Sequence, residues 1–244
     1  MNIAQRLERL PMTPTMNKVL LIVGIGWLFD AMDQGMVSGV LAAVGSDWVL
    51  SPLDQSMLAS AGTFGMIIGA AFSGIASDKW GRRKVILFTL LMYSVGSFLC
   101  GVSSSFTMLV VCRFITGLGL GGELPAASTL VSEFSPLKYR GRNVVLLESF
   151  WAWGWIIAAL VAYLLIPMYG WRIAFLVGAI PALFAAVLRV MVPESPRYLD
   201  LVGKHQQADE IVTKMETAAG VVVSDEEKTH LSAIKTSAWK SFAQ

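Results

Sequence analysis

Six stretches of this chain each run for about twenty residues with almost no charge, and the charged residues gather in the gaps between them. A helix advances about 1.5 Å per residue, so ~20 apolar residues are what a bilayer's hydrocarbon demands. The runs fall at roughly 18–44, 56–77, 85–103, 106–132, 143–166 and 171–191. A globular core needs one apolar face per helix, not an apolar cylinder. With 55% of residues hydrophobic and 15% charged, the sequence reads as an all-α, multi-pass membrane protein. Glycine and proline inside the runs fit that reading, because small residues let membrane helices approach closely. Turn signals divide the runs: "GSDWVLSPLD" after the first, "VSSSF" after the third, "IPMYGW" after the fifth.

Loop charge predicts the orientation. Arg6, Arg9 and Lys18 precede the first run, and Lys79, Arg82, Arg83 and Lys84 follow the second. Lys138, Arg140 and Arg142 follow the fourth, and Arg189, Arg197 and Lys204 the sixth. The intervening loops carry only Arg172. The positive-inside rule then places both termini in the cytoplasm of a cell-membrane protein. The first run is too long for a cleavable signal and lacks a small-residue cleavage site, so it is expected to remain as a span. Residues 1–192 read as the membrane bundle and 193–244 as a polar cytoplasmic segment. Ile211, Val212 and Met215 suggest a short amphipathic helix there, and Ser224 is placed to cap a second. That segment reads as an interdomain linker or as a disordered tail.

Other classes find little support. A net charge of +2 gives no basis for a nucleic-acid partner. Cys100 and Cys112 occupy apolar positions and read as packing residues. His205 and His230 lie outside the runs, and no metal-ligand or nucleophile–base pattern accompanies them. Neither an enzyme nor a cofactor or metal site is expected.

The ionisable residues inside the runs carry the functional signal. "WLFDAMDQGMVSG", residues 27–39, places Asp30 and Asp33 three positions apart on one helical face. An ionised aspartate at the bilayer centre costs about 2.5–3.5 kcal/mol even on an insertion scale, so it must meet water, a cation or a proton. Arg113 is the one cation deep in a run. At 1.5 Å per residue, Asp33 lies ~16 Å and Arg113 ~9 Å from the outer ends of their helices, a gap that a long side chain and helix tilt can close. Asp33 and Arg113 are the expected proton-sensitive pair, with Asp30 as the deeper, additional acid. The plainer alternative is a static ion pair. Glu123 shares a half-face with Arg113, and Glu148 shares one with Trp151 and Trp155. A carboxylate beside indole rings suits a flat ligand with a ring nitrogen. Arg113, Glu123, Glu148, Trp151 and Trp155 are the expected substrate cavity, with lipid anchoring the alternative for the tryptophans. Trp48, Trp80 and Trp171 read as interfacial belt residues.

Three motifs add a family resemblance. "GIASDKWGRRKV", residues 74–85, resembles the loop between helices two and three of the major facilitator superfamily at Gly74, Asp78, Gly81, Arg82 and Arg83. "RFITGLGLGGELPAASTLVSEFSPLKYRGR", residues 113–142, is similar to its fourth helix at Arg113, Gly117, Gly119 and Gly121, and to the next turn at Glu133, Pro136, Arg140 and Gly141. "PESPR", residues 193–197, matches the segment after its sixth helix. The resemblance covers nearly the whole chain. It implies two inverted three-helix repeats forming one half of a transporter, paired with a C-terminal six-helix half. It also implies conformational gating by Gly74, Asp78, Gly81, Arg82, Arg83, Glu133, Arg140 and Arg197. Asp78 is expected to pair with cations at neighbouring helix ends, Arg140 or Arg142 foremost.

The branch narrows further. "DAMD" is similar to the aromatic-acid–proton symporters, and "GLGLGGELPAASTLVSE" and "VVLLESFWAWGW" look like the niacin transporter group. Sugar porters place a proline three positions beyond Pro125 and usually carry Gln where this chain has Glu148. The resemblance thus implies proton-coupled uptake of a small organic or aromatic acid, nicotinate first. The partners so implied are that small molecule, protons and the lipid bilayer. The alternatives are a sugar-porter-like proton symporter and a non-transporting membrane scaffold.

Overall fold

The computed structural model describes residues 2–221, and every regular element in it is a helix. A short leading helix, α1 (Ile3–Arg9), is closed by a reciprocal cap between Asn2 and Gln5. The membrane helices are α2 (Pro14–Asp47), α3 (Pro52–Trp80), α4 (Arg82–Gly101), α5 (Phe106–Phe134), α6 (Leu137–Leu164) with α7 (Ile166–Tyr169), and α8 (Arg172–Gly178) with α9 (Pro181–Met191). Two more, α10 (Pro196–Leu201) and α11 (His205–Ala218), follow the bundle. Six crossings result, the fifth spanning Leu137–Tyr169 and the sixth Arg172–Met191.

The helix starts follow local chemistry. Thr13, Ser51 and Ser105 accept the backbone N–H of Met16, Asp54 and Met108 at 3.3, 3.2 and 3.3 Å. Pro14 and Pro52 open their helices at a position whose N–H has no intrahelical partner. Gly81, at φ +99°, both ends α3 and begins α4, a backbone setting that glycine adopts without a steric penalty. The helices outrun the apolar stretches because hydrogen bonding continues into the polar loops. The fifth begins at Leu137, ahead of Lys138, Arg140 and Arg142. The sixth is interrupted before Pro181, whose ring has no N–H to donate.

Packing reveals the repeat. The first three crossings are α2, α3 and α4, and the second three are α5, α6 and the α8–α9 pair. α2 packs along α6, and α5 along α3. The first helix of each repeat is thus seated on the second helix of the other, the exchange expected of an inverted repeat. Glycines permit the approach: a Cβ on Gly117 or Gly121 of α5 would collide with the Gly62 or Met66 carbonyl of α3. Across the other seam, a Cβ on Gly154 of α6 would meet the Leu28 carbonyl of α2.

Apolar clusters fill both ends of the bundle, one around Leu7, Trp27, Ile86, Leu130 and Leu188, the other around Met36, Val44, Leu109 and Phe175. Trp171 belongs to the latter and is buried, which corrects its assignment to an interfacial belt. The turn at Gly170 (φ +78°) brings its ring edge-on to Trp48 at 5.2 Å, and its Nε1 donates to Asp47 Oδ2 at 3.0 Å. The amphipathic helix expected near Ile211 is α11, with Val212 and Met215 buried. Ser224 and His230 lie outside the described residues. Among the described residues the uncovered apolar faces include Phe64, Ile67, Phe72 and Ile75 on α3, Phe88, Leu91, Val95 and Phe98 on α4, and Trp153, Ile156, Leu160 and Tyr163 on α6.

Candidate functional site

Helices from both repeats converge on one ion pair. Arg113 Nη1 of α5 lies 2.9 Å from Asp33 Oδ2 of α2, and both side chains are at most 5% exposed. The Ser97 hydroxyl of α4 reaches two acceptors at 3.0 Å, Asp33 Oδ1 and the Phe175 carbonyl. The Arg113 guanidinium sits over the Phe175 ring, 5.6 Å from its centroid. Gly178 leaves the space: a Cβ there would lie 2.8 Å from Asp33 Oδ1. The Asp33–Arg113 pair expected from the sequence is formed. Buried this far from water, such a pair is stable only while both charges keep their partners.

Asp30 stands apart from it. Asp30 and Glu123 are buried, and apart from the Tyr93 hydroxyl acting on Asp30 neither carboxylate has a hydrogen-bond partner among the described residues. Glu123 Oε1 lies against Gly26, where a Cβ would be 2.8 Å away, and Gly26 precedes Asp30 by one helical turn on α2. The groups acting on the Asp30 carboxyl are Glu123, Asp33 and the Tyr93 hydroxyl. Trp27 Nε1 is buried and unpartnered among the described residues. Sequence reasoning ranked Asp30 behind Asp33 because it measured depth against Arg113. It had no means of seeing that α5 also brings Glu123 to the same helix face.

The five residues expected to line a cavity are divided by the fold. Arg113 and Glu123 are interior, whereas Glu148 is exposed on α6 and Trp155 is half-exposed beside Gly35. Trp151 stacks on Trp27, ring centroids 4.7 Å apart.

A second polar assembly lies at the end of the bundle where α1, α10 and α11 gather. Arg82 bridges Asp78 Oδ1 and Glu133 Oε1, each at 3.0 Å, and its guanidinium lies over the Tyr198 ring. Asp78 therefore pairs with Arg82, not with Arg140 or Arg142 as expected, because the tight turn at Gly81 sets residues 78 and 82 side by side. Arg140 pairs instead with Glu8 at 2.9 Å, and Arg197 shares the same Glu8 oxygen at 2.5 Å. Arg197 also donates to the Glu133 carbonyl at 3.3 Å. Glu194 Oε1 accepts the Arg83 backbone N–H at 3.1 Å, and the Arg83 side chain donates to the Arg189 carbonyl. A Cβ on Gly81 would strike Glu194, whereas Gly74 faces open space.

Further along, Arg6 grips Glu216 through Nε at 3.0 Å and Nη2 at 2.6 Å, and Asp209 through Nη1 at 2.5 Å. Arg9 joins at 3.0 Å from Glu216. Desolvation opposes the charged forms of Glu8 and Glu216. For Glu8, hydrogen bonds from Arg197 and the Leu137 N–H outweigh it, and for Glu216, those from Arg6 and Arg9 do, so both carboxyls ionise below the ordinary range. The hydrogen bond to Glu216 outweighs desolvation at Arg6 and raises its pKa. Sequence reasoning counted Arg6 and Arg9 as loop charges and passed over Glu8 and Glu194. The Asn2–Gln5 spacing was the available signal for α1.

Comparison with known proteins agrees with this architecture. The chain is 46% identical over 225 residues to the niacin transporter NiaP of Acinetobacter baylyi, covering 92% of this chain and 51% of that protein. It is 46% identical over 187 residues to the putative niacin/nicotinamide transporter NiaP of Bacillus subtilis, covering 77% and 47%. The chain thus spans about half the length of these curated relatives. Its fold matches the partially occluded, inward-open xylose transporter XylE from E. coli with a TM-score of 0.72 and 26% identity, covering 89% of this chain and 57% of that one. Residues 25–244 match the sugar (and other) transporter family. Six apolar crossings, an inverted repeat and that match together make the chain a multi-pass membrane protein belonging to the sugar (and other) transporter family of the major facilitator superfamily.

Proposed function

We propose that this chain supplies the N-terminal six-helix half of a secondary transporter that takes up nicotinate with protons across the cell membrane. In this reading residues 1–192 form the bundle, 193–244 lead toward a second six-helix half, and both termini are cytoplasmic. The observation that carries it is 46% identity, over nine-tenths of the chain, to a niacin transporter. The uncovered apolar faces of α3 and α6 suit a second half and lipid.

The Asp33–Arg113 pair is the coupling element. When Asp33 takes a proton, the guanidinium is released and becomes available to the carboxylate of the substrate. Glu148, Trp151 and Trp155 complete the cavity against the second half. The charges around Asp78, Arg82, Arg83, Glu133, Arg140 and Arg197, with the turns at Gly74 and Gly81, hold the cytoplasmic end shut in one state and part in the other. A sugar-porter role is the competing reading, favoured by the likeness to a xylose transporter.

Cells that depend on external nicotinate, given the gene, should accumulate labelled nicotinate in a way that collapses with the pH gradient. Uptake of xylose or hexoses with none of nicotinate would overturn the reading. A cysteine at Ser51 should react with an impermeant thiol reagent from outside, and one at Gln206 only after the cells are opened.

A further inference from the structure

Two buried carboxyls, Asp30 of α2 and Glu123 of α5, lie at the same stretch of α2. Asp30 and Glu123 are 1% and 0% exposed, and apart from the Tyr93 hydroxyl acting on Asp30 neither carboxyl has a hydrogen-bond partner among the described residues. Trp27 Nε1 of α2 and the Ser94 hydroxyl of α4 are buried nearby along their helices without a partner among the described residues. Three helices meet here: Glu123 Oε1 of α5 rests against Gly26, Asp30 lies one turn further along α2, and the first carbons of Tyr93 pack on Gly119, one turn before Glu123. Asp33 from α2, Tyr93 from α4 and Glu123 from α5 are the titratable groups facing Asp30. The nearest guanidinium, Arg113, is already engaged by Asp33. Two carboxylates without a cation cannot both stay ionised away from water, since desolvation and mutual repulsion act in the same direction. A proton placed between them removes one charge and supplies a hydrogen bond between them.

We propose that Asp30 and Glu123 hold one proton between their carboxyls, forming a second proton-binding centre distinct from the Asp33–Arg113 pair. The inference rests on the proton-coupled reading above. With one proton the centre carries a single negative charge, while Asp33 and Arg113 cancel each other. A second proton makes the whole interior neutral. The exchange is with water alone: an O–H bond forms at one carboxylate oxygen as one in hydronium breaks, and the reverse step returns the proton. Tyr93 is the positioning residue, its O–H acting on the Asp30 carboxyl.

The test is infrared spectroscopy of the purified protein, as its gene encodes it, in detergent at neutral pH. A protonated carboxyl gives a C=O stretch that shifts in deuterated water. The wild type should show this band, and Asp33→Asn should retain it. Asp30→Asn combined with Glu123→Gln should lose it. Glu123→Asp, which keeps a carboxyl, should shift the band without removing it, and this serves if the double variant does not fold. Absence of the band in the wild type, or its survival in a folded double variant, overturns the proposal. So does uptake that requires sodium ions in place of a pH gradient together with a missing band, since the site would then hold a cation. Transport is scored separately. A wild-type band without pH-driven uptake supports the carboxyl pair and defeats the proton-coupled reading. PH-driven uptake without the band does the opposite.

Discussion

Replacing Asp33 by asparagine changes one charge and almost no volume. It leaves Arg113 buried beside a neutral amide, with Ser97 still able to donate to Oδ1. Breaking a buried pair by removing one member costs about 3–5 kcal/mol. Ser97 and Arg113 use different oxygens of Asp33, and the amide keeps only one of them, so at least the low end applies, about 3 kcal/mol. In a domain of this size that lowers the melting temperature by about 6–12 °C, taking ~2–4 °C per kcal/mol. Arg113→Gln should cost a similar amount by orphaning Asp33. The double variant leaves no uncompensated charge and should recover more than half of the summed loss. Thermal unfolding in detergent measures all three, and counterflow against pH-driven accumulation measures the coupling. Asp33→Asn should keep counterflow and lose accumulation against a gradient. If the single effects add to within ~0.5 kcal/mol in the double variant, the two side chains do not act on each other. If Asp33→Asn still concentrates substrate, the pair is structural.

Three further outcomes are expected. Gly121→Ala should abolish stable folding, judged by monodispersity in detergent, because its Cβ meets the Met66 backbone carbonyl; Gly74→Ala, with nothing within 4 Å of its Cβ, should be neutral. Asp78→Asn should cost no more than about 1 kcal/mol in the same assay, because Asp78 is 77% exposed in its pair with Arg82, whereas Glu133→Gln strips the more buried partner and should cost more. The clasp between α1 and α11 should weaken in acid. Glu216 ionises at lower pH in the folded protein than in the free chain, so its contribution is whole above the ordinary glutamate value of about 4.3 and is lost as pH falls through the folded value. Protection factors of the α1 amides, which correct for the intrinsic slowing of exchange toward acid, should be high at neutral pH and fall on acidification, and Glu216→Gln should lower them at neutral pH with little further effect in acid.

The parts of the fold legible in the sequence are those set by one segment's own composition. The six crossings follow from length and apolarity, and the Asp33–Arg113 pair follows from depth, because each helix fixes how far along its axis a residue lies. What stayed hidden depends on rotation and on distant segments. Glu123 comes to rest against Gly26, one turn from Asp30, because of how α5 turns against α2, which no count along the chain supplies. Glu8 meets Arg140 and Arg197 across 132 and 189 residues of chain. Asp78 found Arg82 because a single glycine turns the chain sharply. Trp171 was misplaced for the same reason: a turn, not its hydrophobicity, decides which way its ring points.

The seating of α2 on α6, and of Asp33 on Arg113, also bears on how the protein is made. Asp33 and Arg113 are 80 residues apart in the chain. At roughly 5–20 residues per second, the ribosome delivers the arginine about 4–16 s after the aspartate. Throughout that interval α2 must wait with two carboxyls and no cation, either protonated or shielded by the insertion machinery. Its other seam, with α6, emerges later still. The nascent first repeat is therefore a membrane intermediate that cannot close on itself, and it has to be held until the second arrives.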